Sequence, residues 1–76
     1  MATFFARVHL EGAVRNTEAF HEDDIERASA RAWAEAVAQH PSLGQQQAFL
    51  YERDESGREF FLRKLPPHRN SIQRNP

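Results

Sequence analysis

The sequence predicts an α+β fold: a small single-layer antiparallel sheet in the order β-β-α-β-β, with one helix packed on one face. Three observations predict it. Residues 3–10 alternate in polarity, residues 24–39 run without glycine or proline, and two strand-like segments, 47–53 and 58–65, flank a short polar turn. Period-two alternation marks a strand, and an uninterrupted alanine-rich stretch favours a helix.

In the first strand Phe4, Ala6, Val8 and Leu10 fall on one side, and Thr3, Phe5, Arg7 and His9 on the other. Glu11-Gly12 then supplies a two-residue turn, with a glycine free to take positive φ. Residues 13–20 are read as the returning strand. Their alternation is weak, so β-α-β-β, with 13–20 as a loop, is the runner-up order.

Asp23 or Asp24 caps the helix, and Glu22, Asp23, Asp24 and Glu26 suit the positive end of its dipole. At 100° per residue, Ile25, Ser29, Ala32, Trp33, Ala36 and Val37 make one broad face. Its small residues let the helix lie close to a sheet, while Trp33, Ile25 and Val37 are expected to anchor it. His40-Pro41 ends the helix, because a residue before proline is driven out of the α region.

The last two strands, 47–53 and 58–65, are joined by Asp54-Glu55-Ser56-Gly57, with Gly57 suited to the left-handed position of a bulged turn. The expected register sets Arg53 against Glu59, Tyr51 against Phe61 and Leu50 against Leu62. It pairs opposite charges and stacks apolar groups. Residues 1–65 then form one domain. Residues 66–76, with three prolines and Ile72 as the one aliphatic side chain, read as a flexible basic tail.

A chain of 76 residues allows one domain with a marginal core. It has no cysteine, which closes the disulfide and thiolate-zinc routes to extra stability and leaves self-association as the open one. The start of the chain shows neither a secretory pattern nor a membrane span, so the expectation is a soluble, cytoplasmic protein. The net charge of -1 is uneven: residues 11–57 hold ten of the eleven acids, while residues 58–76 hold five cations against Glu59 alone.

Assembling the strands raises a problem of cover. One face collects Phe4, Ala6, Val8, Leu10, Ala48, Leu50, Phe60 and Leu62, and the single helix can bury it. The other collects Phe5, Arg7, His9, Phe49, Tyr51, Arg53, Phe61 and Arg63, with Leu65 at its edge. Antiparallel sheets usually turn a polar face to water. A face with four aromatics instead marks an interaction surface.

Phe5, Arg7, His9, Phe49, Tyr51, Phe61 and Arg63 are therefore the candidate partner-binding residues. A homodimer suits a small cysteine-free chain. Docking on a different protein, as small accessory or inhibitory proteins do, is a second reading. Nucleic acid is the third, with bases on the aromatics and phosphates met by Arg53, Lys64, Arg69 and Arg74.

Catalysis finds little support. His21-Glu22-Asp23-Asp24 is the one dense cluster of metal-ligating types, and acids in a first helical turn are expected without a metal. The four serines fall on the helix, on two loops and in the tail, none in a triad-like setting. No Walker loop, Rossmann glycine pattern or zinc spacing is present. The sequence thus predicts a non-enzymatic protein with no cofactor, no catalytic or metal site and no small-molecule substrate.

Overall fold

The computed structural model describes residues 2–43 and 47–67. The expected tail from 68 onward, with Arg69 and Arg74, lies outside the described residues. The element order is β1 (Ala2–Leu10), β2 (Ala13–Asn16), β3 (Phe20–Glu22), α1 (Ile25–Gln39), β4 (Ala48–Arg53) and β5 (Glu59–Leu65). All strand pairs are antiparallel, in the spatial order β2-β1-β4-β5, and β3 also pairs with β1. One helix lies on one face, so the predicted α+β single-layer class is the observed one.

The expected second strand is present but broken in two. β2 follows β1 through the Glu11-Gly12 turn, where Gly12 has φ +78°. The chain then leaves the ladder at Thr17 and rejoins β1 as β3. Thr17 is buried, and it serves both backbone groups of Ala6. Its Oγ1 accepts from Ala6 N at 2.9 Å, and its own N–H donates to Ala6 O at 2.8 Å. A side chain here replaces one rung of the ladder, so no buried backbone group at Ala6 goes unpaired.

Asp24 caps α1, its carboxylate accepting from Arg27 N at 2.9 Å. The buried stripe is made of small residues: Ala28, Ser29, Ala32 and Ala36. Ser29 satisfies its hydroxyl within the helix by donating to Ile25 O at 2.8 Å. Ile25 and Val37, expected as anchors, are instead more than a third exposed, and Trp33 is half-buried against the core. The helix settles on its smallest residues, where backbone and sheet approach most closely, and the larger ones flank the contact.

Charged side chains mark how far the helix reaches. On one flank Arg27 pairs with Glu22 at 3.5 Å and Arg31 lies 4.5 Å over the Phe20 ring. On the other flank Glu26 accepts from Arg63 of β5 at 3.2 Å. α1 therefore covers β3, β1 and β4. Phe60, expected beneath the helix, lies beyond it on β5 and is 42% exposed, with the Arg58 guanidinium 5.6 Å from its ring.

The β4–β5 hairpin has the predicted turn. Gly57 takes φ +92°, and Asp54 Oδ1 accepts from Ser56 N and Arg58 N, each at 2.9 Å. Arg53 faces Glu59 and Tyr51 faces Phe61 as expected. The register then shifts: Leu50 faces Arg63, not Leu62, and Ala48 faces Leu65. A β-bulge inserts Leu62 as an extra residue. Without it Lys64 would face Ala48, on the side of the buried core. With it Leu65 enters the core fully buried, and Lys64 moves opposite Phe49. Burying Leu65 favours the bulged pairing, and the cation it brings to the helix side, Arg63 opposite Leu50, is met there by Glu26.

Candidate functional site

The face that α1 leaves open carries Phe5, Arg7 and His9 from β1, Phe49, Tyr51 and Arg53 from β4, and Glu59, Phe61 and Lys64 from β5. Alternation puts these residues there, because their neighbours Phe4, Ala6, Val8, Ala48 and Leu50 form the buried core on the other side. Two sequence expectations need correction. Arg63 is not on this face, since the bulge turns it toward α1, where it meets Glu26. Leu65, expected at the open edge, is core.

Phe5 lies on the open face yet is fully buried. Tyr51 stacks on it at 5.6 Å between ring centroids and an interplanar angle of 20°. The guanidinium of Arg53 sits 4.6 Å from the Phe5 ring, and that of Arg7 sits 5.5 Å from Phe5 and 4.3 Å from Tyr51. Arginine over an aromatic face is attractive by itself. Here it also seals the ring from water, so Phe5 supports the site and is not offered to a partner.

Glu59 fixes both arginines. One of its oxygens accepts from Arg7 at 2.6 Å and the other lies 3.4 Å from Arg53. Arg7 donates again, through Nε, to Asn16 on β2 at 3.0 Å. The Arg7 hydrogen bond is the main cause holding the Glu59 carboxyl below the usual range, and the same bond raises the Arg7 guanidinium above its ordinary value. This network spans β2, β1, β4 and β5 and sets the cations in place along one side of the face.

Beside the network runs an apolar band. The His9 ring meets Phe49 edge-on at 5.2 Å, Phe49 meets Phe61 at 6.1 Å, and Tyr51 meets Phe61 at 6.0 Å. His9, Phe49, Tyr51 and Phe61 line an open depression of about 430 Å³. Phe61 is 57% exposed at its β5 end. At the other end Val14, opposite His9 on β2, is 52% exposed. The band thus crosses the sheet from edge to edge. Val14 is the residue sequence reasoning missed; the two-residue turn at Glu11-Gly12 already implied its pairing with His9.

The His21–Asp24 cluster does not converge. His21 is 3.1 Å from the Thr3 hydroxyl, Glu22 accepts from Asp23 N and pairs with Arg27, and Asp24 is the helix cap. Among the described residues, no group of three or more His, Cys, Asp or Glu side chains is placed to hold a metal ion. No helix among them is long and apolar enough to cross a membrane. No protein-family model matches the chain, and no curated protein or solved structure is significantly similar to it.

Proposed function

We propose that this chain is a non-enzymatic interaction module that docks a protein, another copy or a different partner, on its open sheet face. It works in the cytoplasm on this reading, in keeping with its cysteine-free composition. The observation that carries the reading is the apolar band from Val14 through His9 and Phe49 to Phe61, lying on a face that no element of the described fold covers. Exposed apolar surface that is contiguous and rimmed by charge characterises protein contact sites. The depression falls in the size range of ligand pockets, but it is open and lacks the convergent polar groups such pockets use.

The test is the double change Phe49→Ser and Phe61→Ser. Neither side chain belongs to the buried core, so helical circular dichroism should persist while association disappears. Aromatic anchors of this kind cost roughly 2 kcal/mol or more each when truncated. Oligomeric state and partner capture both surviving the change would remove the face from consideration.

Nucleic acid is the second reading, and Lys64 favours it: the bulge brings this lysine opposite Phe49 on the aromatic face. It requires an affinity that falls steeply with added salt and weakens when Lys64, Arg69 and Arg74 are neutralised. Two features of the site weigh against it. Arg7 and Arg53 are already paired with Glu59, and the Phe5 and Tyr51 ring faces that a base would stack on are covered by those arginines.

A further inference from the structure

The charges of the open face differ in sign from those of the rest of the chain. Its strands present Arg7, Arg53 and Lys64 against a single carboxylate, Glu59, while the other two strand acids, Glu22 and Glu52, take the opposite side of the sheet. The chain as a whole is net negative. A positive face on a negative molecule does not suit a second copy laid face to face, which would set two faces, each with three cations to one carboxylate, against each other. Nor does it suit a base-stacking ligand. The rings still open, Phe49 and Phe61, stand at 61° to each other and form no flat platform.

The cross-strand row Arg7–Phe49–Lys64 has a cation on each side of an aromatic ring. Arg7 is pinned by Glu59, Asn16 and the Tyr51 ring, whereas Lys64 is exposed and makes no ion pair among the described residues. Next to that row lies the depression of His9, Phe49, Tyr51 and Phe61.

Resting on the reading that this face docks a protein, we infer that its occupant is an acidic peptide segment bearing at least one bulky apolar side chain. The apolar side chain enters the depression. A carboxylate beside it meets Lys64, and the net positive charge of Arg7 and Arg53 around Glu59 adds to the attraction at longer range. Charge complementarity of this kind selects the partner and its orientation, while the apolar contact supplies most of the affinity.

The test is a display selection of random peptides on the full chain, with counter-selection on the F49S/F61S variant. The expected survivors are net acidic and carry a large aliphatic or aromatic residue. A selected peptide should bind Lys64→Glu roughly two- to fivefold more weakly, and added salt should shrink that difference. Survivors that are neutral or basic, or that bind K64E as tightly as wild type, would overturn the acidic partner and leave the docking face standing. An empty selection together with a dimer in light scattering that F49S/F61S dissociates would make the occupant a second copy. Binding of a single-stranded uridine oligonucleotide that F49S/F61S abolishes would overturn both the acidic peptide and the protein-docking reading.

Discussion

Glu59 divides its two oxygens between Arg7 and Arg53, and those arginines in turn cap Tyr51 and Phe5. A carboxyl held below its usual range in the folded state takes up its proton later than in the unfolded chain. Its stabilisation is complete above the ordinary glutamate range and is lost as pH falls through the lower, folded value. Asp54, lowered mainly by the Ser56 hydroxyl, follows the same sign. Glu59→Gln should therefore be less stable than wild type at neutral pH, with the gap closing as acid protonates the wild-type carboxyl. Urea midpoints measured at stepwise lower pH check this, and a gap independent of pH would refute it. Thr17 is the second residue whose loss should be felt. Thr17→Val keeps the shape but removes the acceptor for Ala6 N, at about 1–3 kcal/mol. That amounts to roughly 4–8 °C of melting temperature for each kcal/mol in a domain of this size.

At the scale of elements, α1 meets the sheet through Ala28, Ser29, Ala32 and Ala36, all fully buried. Ala32→Leu should force the helix outward at a cost of about 1–3 kcal/mol, read as a lower melting temperature, whereas Ala30→Leu on the exposed side should not. The first strand, the helix and the last hairpin were legible in the sequence because their signals are local: alternation in residues 3–10, alanines and a capping aspartate in the helix, glycines at the two turns. Three things were not legible, and each is decided at a distance. Periodicity gave the helix its apolar arc, but which part of that arc lies lowest depends on how closely the sheet approaches. The break at Thr17 has no local mark, since its hydroxyl is used by Ala6, eleven residues earlier. The bulge at Leu62 follows from where Leu65 and Lys64 end up, and from Arg53 to Tyr51 the bulged and unbulged pairings are identical. The site inherits this last error at two positions: Lys64 takes the open-face place expected for Arg63, and Leu65, expected at the edge of that face, is core, while the other strand residues expected on it are found there.

At the scale of the molecule, a single helix covers three strands and leaves aromatic surface in two separate places. Phe61 lies on the open face, and its neighbour Phe60 lies on the helix side of β5 beyond the helix. They provide an internal control. Phe60→Lys should change stability by no more than about 0.5 kcal/mol and leave partner affinity intact, whereas Phe61→Lys should abolish association. Calorimetric titration with a captured partner distinguishes them; equal losses at both positions would mean that the partner reads the strand and not the face. The extra residue at position 62 has a consequence of another kind, for how this chain tolerates change in length. Inward and outward on β5 are a matter of parity, and Leu62 changes that parity midway. Replacing Leu62 with a smaller or charged residue keeps the count but gives up its packing against the core. Deleting its codon would close the bulge and leave Arg63, Lys64 and Leu65 opposite Leu50, Phe49 and Ala48, as they stand now, so the later positions keep their sides of the sheet. The hairpin thus carries one residue more than its ladder needs, and a loss of length at that point leaves the two faces of the sheet as they are.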